Sequence, residues 1–213
     1  MSATFTTELD VINAAIRALG GKHNISADDK TNTAEEMSAA YRLVRDNLIR
    51  AYNWNCCIKR DTAAFLEESV SILYQDYKYV YQTPSDCLGI ITINDRFTGY
   101  SGVELTERYA PFYKIRGNKI YTRYQPPLII EYKYRNEDVT SYDACFCKVL
   151  ALDLAIECCE RIKQSTSALE ELRRLKQGAL DDALRCNALE IPLRPKPTGN
   201  WLRGRIVYEW GVE

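Results

Sequence analysis

The stretch from Tyr142 to Lys163 constrains the fold most, because it is apolar around most of a helical circumference. Its polar residues Asp153, Glu157, Glu160 and Gln164 recur at helical spacing and form one stripe. At about 1.5 Å per residue this helix would be roughly 33 Å long, enough to run the length of a small domain. Since such a helix needs neighbours on nearly every side, we predict that the other helices pack around it.

Lys148 lies outside that polar stripe. Either its stem runs along the apolar surface with the ammonium group in water, or this side of the helix contacts another subunit. The apolar circumference exceeds what two or three short helices cover easily. The sequence therefore predicts a protein that binds a neighbour in its working state.

Composition is that of an ordinary globular protein. The chain has 213 residues and is 46% hydrophobic, which is ample for one domain or two small ones. Its 28 Lys and Arg nearly balance its 29 Asp and Glu, which argues against holding nucleic acid by bulk charge. The apolar runs are short, and Met1 to Asp10 lacks a basic start followed by an apolar stretch, so we expect no membrane span and no export signal.

The eight cysteines do not resemble a disulfide framework. Cys56-Cys57 and Cys158-Cys159 are adjacent pairs, and Cys145 and Cys147 share one predicted helix. We interpret them as reduced thiols of a cytosolic protein. A metal site is the rival interpretation, but the chain has no C-x-x-C motif and one histidine, so no metal ligands are predicted.

Two amphipathic helices are predicted before residue 62. Thr7 begins the first helix, and Gly20-Gly21 ends it. Thr33 and Glu36 have the spacing of a capping box and predict the start of a second helix that runs to about Ala51.

The second helix is expected to carry Arg42, Arg45 and Asp46 on its outer face. Trp54 follows the helical pattern, and we expect it to fill the end of the core rather than to bind a ligand. His23 lies in a polar stretch and is interpreted as an ordinary surface residue.

From Ile72 onward the hydrophobic period changes to two. The tyrosines 77, 79 and 81 alternate, and Gly117-Asn118 is placed as the turn of a hairpin. The residues expected to line one face of a last strand are Leu128, Ile130, Tyr132 and Tyr134. Residues 62–138 are therefore predicted to form an antiparallel β insertion between helices.

After the long helix, Ser167 and Glu170 predict a capping box for a fourth helix that ends near Glu190. Its expected apolar positions are Leu169, Leu172, Leu175, Ala179, Ala183 and Asn187. The remaining face is densely charged and is either a solvated surface or a subunit contact. The candidates for a subunit interface are Lys148, Arg173, Arg174, Asp181 and Arg185.

The last segment changes character at Ile191. Three prolines prevent a helix, and Thr198-Gly199-Asn200 supplies a flexible joint. We predict an arm that docks on a partner or folds back on its own domain, since aromatic residues and arginine anchor interfaces. Its candidate binding residues are Trp201, Leu202, Arg203, Arg205, Tyr208 and Trp210.

These patterns together predict an α+β protein. It would be an antiparallel helical bundle with an inserted antiparallel β subdomain and an extended C-terminal arm. The predicted parts are residues 1–61 and 139–190 for the two halves of the bundle, 62–138 for the β subdomain and 191–213 for the arm. No nucleophile motif, Walker motif or Gly-x-Gly-x-x-Gly loop occurs, so we expect no catalytic residues, no cofactor and no enzymatic function.

The order of these elements resembles the head-to-tail adaptor proteins of short-tailed bacteriophages, with the tail tubular protein A group as the nearest. The stretches that carry the resemblance are Leu9-x-x-Ile12-x-x-x-Ile16-x-x-Leu19-Gly20, Ala39-Ala40-Tyr41-Arg42 through Tyr52-Asn53-Trp54, Tyr81-Gln82-Thr83-Pro84-Ser85-Asp86-Cys87-Leu88, Ile120-Tyr121-Thr122, Leu128 to Tyr132, and Asn187-Ala188-Leu189-Glu190. The likeness also continues through the alanine-rich central helix, so it extends over most of the chain. Its stretches contain hydrophobic and turn residues rather than a catalytic motif.

The resemblance implies a structural protein of the virion at the junction of portal and tail, made in the bacterial host cytoplasm. It implies a dodecameric ring that joins the portal protein to the tail nozzle and lets DNA pass through its lumen without sequence-specific binding. The C-terminal arm would reach the portal, and the β insertion would face the nozzle. The near-neutral charge agrees with a lumen that does not retain phosphates.

A monomeric binding module is the alternative. Tyrosines and arginines of the predicted sheet would then bind single-stranded nucleic acid or a protein, with bases stacked on the aromatic rings.

Overall fold

The computed structural model describes residues 5–21, 26, 31–68, 77–94, 96–97 and 112–190. The helices are α1 (Glu8–Ala18), α2 (Asn32–Ala51), α3 (Ala144–Ile162) and α4 (Thr166–Leu189), with short 3-10 turns at Asn55–Cys57 and Val139–Ser141. The strands are β1 (Ile58–Glu68), β2 (Tyr79–Gln82), β3 (Cys87–Ile93), β4 (Arg96–Phe97), β5 (Tyr113–Arg116), β6 (Lys119–Thr122) and β7 (Leu128–Tyr134). The predicted α+β class is confirmed. The predicted arm at 191–213 lies outside the described residues.

Helix α3 is the centre of the helical part. The other three helices α1, α2 and α4 each pack against it, which the apolar circumference of this helix predicted. Its fully buried side chains include Phe146, Val149, Leu150 and Leu154. Trp54 fills the end of this core as expected, because its ring meets Phe146 edge-on at 5.1 Å and its indole N–H donates to the Leu48 carbonyl at 3.0 Å.

Of the three capping residues predicted for helix starts, one is correct. Thr7 caps α1 and forms a capping box with Asp10. The capping boxes predicted at Thr33 and Ser167 are wrong, because Thr31 and Ser165 cap α2 and α4. Each helix gains backbone hydrogen bonds by starting two residues earlier, such as Glu35 N–H to Thr31 O at 3.1 Å.

Helix α1 ends at the predicted glycine. Gly20 has a φ of +81°, and the N–H groups of Gly20 and Gly21 donate to Arg17 and Ile16 carbonyls, both at 2.9 Å. This is the left-handed C-terminal cap that glycine permits at little cost. The Lys163 ammonium donates to Leu19 O at 2.6 Å and joins the ends of α1 and α3.

The seven strands form one antiparallel sheet in the order β4-β3-β7-β1-β2-β6-β5. The first half of β1, Ile58 to Ala63, pairs with β7, and its second half, Ala64 to Glu68, pairs with β2. Its side chains are mostly exposed, and Ala63 is the one described as buried. This strand was not predicted, because the period-two pattern begins only at Ile72 and a strand with few buried side chains shows no alternation.

The predicted alternation of Tyr77, Tyr79 and Tyr81 is wrong, because Tyr77 precedes β2 and Val80 is buried as well. Two other predicted features of the sheet are present. Gly117, with a φ of +58°, and Asn118 form the tight turn between β5 and β6. Leu128, Ile130 and Tyr132 point into a second core, which also contains residues of β2 and β6. None of the described helices has a stretch long and apolar enough to span a bilayer.

Replacement of Leu150 by alanine tests the central role of α3. Leu150→Ala is expected to lower the free energy of unfolding by about 2–5 kcal/mol, because a fully buried leucine leaves a cavity when it is truncated. Leu175→Ala, at a half-exposed leucine of α4, is the control and is expected to change it by less than about 0.5 kcal/mol. Urea unfolding followed by circular dichroism measures both, and equal losses would contradict this account.

The carboxylate of Asp10 makes a pH-dependent contribution to the stability of the fold. The backbone N–H groups of Thr6 and then Thr7 hold the pKa of Asp10 at about 2. Since this pKa is depressed on folding, the stabilisation is complete above the unfolded value of about 4 and is lost as the pH falls through 2.

The stability difference between the native chain and Asp10→Asn should therefore stay constant from pH 7 to about 5 and shrink between about pH 4 and 2. Urea unfolding at a series of pH values measures it. A difference that grows on acidification would contradict this assignment.

Candidate functional site

The described polar side chains concentrate where the helices meet the sheet, and we call this region the junction. It consists of Arg45 and Asp46 on α2, the segment Arg135–Glu137 after β7, and the contact of Asn53–Asn55 with Asn187 and Glu190. These residues come from elements far apart in sequence.

Arg45 is the buried centre of the junction. The prediction that it lies on the outer face of α2 is wrong, because its side chain is only 2% exposed. Its guanidinium lies 2.9 Å from Asp46, 3.4 Å from Glu137 and 4.0 Å from Glu8. A cation can be buried here because carboxylates from three segments surround it. Arg42, predicted for the same face, is exposed.

The charge of Arg45 is retained. Burial lowers the pKa of the Arg45 guanidinium, but the hydrogen bond and charge of Asp46 more than offset this, so that the net shift is upward. The other oxygen of Asp46 accepts from Arg135 Nε at 2.8 Å. One carboxylate of α2 thus holds two guanidinium groups, one from its own helix and one from the segment after the last strand.

Asn136 connects the end of the sheet to the start of α3. Its buried amide nitrogen donates to Cys56 O at 2.9 Å and to Ser141 Oγ at 2.7 Å, and its oxygen accepts the N–H of Asp138 at 3.1 Å. The Tyr142 hydroxyl donates to the Asn136 carbonyl at 2.6 Å. Both polar ends of the Asn136 side chain therefore have partners, which makes its burial favourable.

The end of α4 is hydrogen-bonded to the chain just before β1. Asn55 N–H donates to Asn187 Oδ1 at 2.8 Å, and its side-chain amide donates to Asn187 O and to a Glu190 carboxylate oxygen, both at 2.9 Å. Asn187 in turn donates to Asn53 O at 2.7 Å. Asn187 was predicted to continue the apolar stripe of α4, so this contact was not predicted. Two stretches that carry the family resemblance, one ending at Trp54 and one beginning at Asn187, meet here.

The C-terminal end of α2 is tied to the sheet by two cations. The Arg50 guanidinium donates to the Leu88 carbonyl of β3, and the Lys133 ammonium of β7 donates to Arg50 O at 2.7 Å. Burial, followed by the charge of Arg50, lowers the pKa of the Lys133 ammonium. Cations at the C-terminal end of a helix also interact favourably with the helix dipole.

The cysteines contribute to the core and not to a ligand cluster in the described residues. All eight are free thiols, and Cys57, Cys147, Cys158 and Cys159 are buried. Burial raises the pKa of Cys147 to about 12 and that of Cys158 to about 11. Such thiols stay protonated and behave as small apolar groups. No set of three or more His, Cys, Asp or Glu suited to a metal ion occurs in the described part of the chain.

The predicted interface residues Lys148, Arg173, Arg174, Asp181 and Arg185 are all exposed. Asp181 accepts from Gln177 at 3.0 Å, and Arg185 lies 3.3 Å from Asp182. The structure does not bring Lys148 together with the four residues of α4 through any described contact, and their role in an interface stays a prediction. The predicted binding residues of the arm, Trp201 to Trp210, lie outside the described residues.

Four tyrosines of the predicted insertion lie in the core. Tyr77, Tyr79, Tyr81 and Tyr132 are buried, so the rings of these four are not open for base stacking. The Tyr81 hydroxyl donates to Tyr124 O at 2.9 Å, and the Tyr132 hydroxyl donates to Asp86 at 3.1 Å. Tyr113, Tyr121 and Tyr134 are half-buried, and nucleic-acid binding by the sheet stays a prediction.

A cleft of about 690 Å³ lies beside the first half of β1, where β2 no longer pairs with that strand. Its lining includes Asp61, Thr62, Gln82, Thr83, Ser85 and Asn118. The Asp61 carboxylate accepts the N–H of Thr62 at 2.8 Å and so covers part of the strand edge. Apolar groups such as Ala64 and Pro84 also line the cleft, and neither a second carboxylate nor a histidine is among its described lining residues.

No protein-family model and no curated protein matches this chain.

Loss of the Arg45 side chain tests the junction. Arg45→Met is expected to lower the free energy of unfolding by about 1–3 kcal/mol, because Glu137 and Asp46 lose their buried partner. The effect is smaller than for a fully buried ion pair, since Glu137 is 69% exposed and Asp46 keeps Arg135. Urea unfolding measures it.

Arg42→Met is the matched control, as an exposed arginine of the same helix. It is expected to change stability by no more than about 0.5 kcal/mol. An Arg45→Met chain as stable as this control would show that the junction does not need the guanidinium.

Proposed function

We propose that this protein is a head-to-tail adaptor of a short-tailed bacteriophage, which forms a ring between the portal and the tail tube. In this proposal residues 1–61 and 139–190 form a helical bundle, residues 62–138 an inserted β subdomain and residues 191–213 an extended arm. The observation that carries the proposal is the junction, which fixes the helices to the sheet and holds the chain where the arm begins.

The function of an adaptor requires two partner surfaces at a fixed separation. A rigid connection supplies this, and the charged network of Arg45 and the amide network of Asn136 connect α2 and α3 to β7 by directional bonds. The portal would be bound from one part of the chain and the nozzle from the sheet. Force applied at one partner would then be transmitted to the other.

The position of α4 supports the role of the arm. Glu190, the last described residue, is bonded to Asn55 at 2.9 Å, so the arm starts from an anchored point. A segment of 23 residues, 191–213, can span roughly 80 Å when fully extended. Trp201, Leu202, Tyr208 and Trp210 would bury apolar surface on the portal, and Arg203 and Arg205 would bind its carboxylates or carbonyls.

The charge balance supports a passive lumen. With a formal net charge of −1, the ring would offer DNA few net cations, so that DNA slides through during genome ejection without sequence-specific binding. The protein would act in the virion at the portal–tail junction after synthesis in the host cytoplasm. The proposal requires no catalytic residue, no metal and no cofactor.

The arm is tested on a panel of purified portal rings from short-tailed bacteriophages. The native chain is expected to attach to a portal in several copies around its axis, as seen by cryo-electron microscopy. A chain that ends at Glu190, and the double variant Trp201→Ala/Trp210→Ala, should keep the helical circular dichroism and the melting temperature but lose attachment. His23→Ala is the control and should attach normally.

Two outcomes would refute the adaptor role, and two others would refute the role of the arm. The native chain binding to no portal, or as a single copy, would refute the adaptor role. A truncated chain that unfolds would show that residues after Glu190 belong to the core, and one that still attaches would show that the portal is bound elsewhere.

A further inference from the structure

Helices α2 and α4 each present an exposed leucine. Leu43 on α2 is 61% exposed, and Leu175 on α4 is 50% exposed. Leu175 was expected on the buried stripe of α4, and its exposure is therefore a correction to the sequence analysis. Single exposed leucines are common, so these two need further observations before they indicate an interface.

The two leucines belong to different flanks of the helical part. On α3, Cys158 and Arg161 face α2, since both contact Glu36, while Asp153 faces α4 through Lys176 at 2.7 Å. At about 100° per residue, Cys158 and Arg161 lie roughly 140° and 80° around α3 from Asp153. A protein with different patches on two flanks can join head to tail, and such contacts form a ring when the rotation between neighbours closes.

Gly178 supplies an independent observation. It lies in the middle of α4, is exposed, and is one turn from Leu175. A Cβ atom added at Gly178 would meet no heavy atom of the described chain within 4 Å. Glycine destabilises a helix relative to alanine, and nothing within the described chain requires it here. The position is therefore open to a neighbour that packs closely on this face of α4.

We infer that Leu43 of one copy packs against Leu175 and Gly178 of the next copy, and that this contact is the lateral interface of the ring. The inference rests on the ring of the proposed function and names its interface. The side chain of Leu43 would enter the hole between Glu171, Arg174, Leu175 and Gly178, which have the spacing of a knobs-into-holes site.

The directions of the helices agree with this contact. Helix α2 runs antiparallel to α3, because Glu36 meets Arg161 near one end and Trp54 meets Phe146 near the other. Helix α4 also runs antiparallel to α3, so α2 and α4 point the same way. Neighbours in a ring of many copies differ by a small rotation, which brings α2 and the next copy's α4 together nearly parallel.

The charges agree with the same register. In a parallel pair with Leu43 opposite Leu175, Arg50 comes opposite Asp182, seven residues further along each helix. Arg50 Nη1 donates to the Leu88 carbonyl of its own chain, which leaves the other N–H groups of the guanidinium for this carboxylate. Within the described residues, Asp182 forms an exposed pair with Arg185 at 3.3 Å. Such a surface pair is weak and can be exchanged for Arg50 of the neighbour.

Gly178→Ala separates the interface from the fold. In the free chain it should raise the melting temperature by roughly 2 °C, because alanine favours the helix and its methyl group has room. In the portal-bound state it should weaken neighbour association by roughly tenfold, because the methyl group would hold the helices apart. A higher melting temperature with unchanged association would overturn the inference, and so would a lower melting temperature.

Leu43→Gln should weaken association similarly. Leu66→Gln is the matched control, since Leu66 on β1 is 43% exposed but belongs to the sheet, and it should leave association unchanged. Copies per portal, counted by native mass spectrometry over a range of protein concentrations, give the association strength.

Photo-crosslinking then locates the contact. With p-benzoylphenylalanine in place of Leu43, the portal-bound protein should form a covalent dimer whose crosslink maps to the peptide that contains Leu175 and Gly178. A crosslink elsewhere, with several copies still on the portal, would overturn this interface and leave the adaptor role intact. Failure of the native chain to bind any portal would refute the proposed function and the interface together.

Discussion

The ion-pair network of Arg45 is the interaction on which the arrangement of helices and sheet depends. A buried guanidinium is unfavourable unless carboxylates and hydrogen bonds replace its water. Here the partners come from α2, from the start of α1 and from the segment after β7, so the charge is satisfied only when all three segments are in place. Because both Asp46 and Glu137 keep some contact with solvent, their desolvation is partial. The network therefore selects one arrangement at a moderate energetic cost.

The two hydrophobic cores of the protein are otherwise separate. One core fills the space between α3 and the other helices, and a smaller one lies within the curved sheet. Apolar packing within each core gives most of the stability but has little directional preference. Asn136 and its partners bridge the two, since they connect the end of β7 to Cys56 and to the turn before α3. A hydrogen-bonded amide fixes distances and angles where apolar contact would allow sliding.

The sequence predicted best what local periodicity determines. Helix α3 followed from its apolar circumference, and the β5–β6 hairpin followed from Gly117-Asn118, because both depend on neighbouring residues. Arg45 was placed wrongly because its burial depends on Glu137, 92 positions away. Asn55 and Asn187 are 132 positions apart, so nothing local marked them as partners. Strand β1 was missed because backbone pairing on both sides, rather than alternating burial, makes it central. The candidate site was therefore largely unpredictable, although the elements that bring it together were mostly found.

The location of these polar contacts limits where the protein can bend. If the junction were apolar, a load between helices and sheet would be resisted only by burial, which changes gradually as surfaces slide. The described contacts instead include charged pairs at 2.8–2.9 Å and hydrogen bonds from the Asn136 amide at 2.7–2.9 Å. Such hydrogen bonds weaken steeply when donor and acceptor misalign. Movement at the junction would break several of them at once, because Asp46 serves two arginines and Asn136 serves two backbone segments. Bending between helices and sheet is thus opposed by a cooperative network, and displacement is easier at the exposed ends of the elements, beyond the junction.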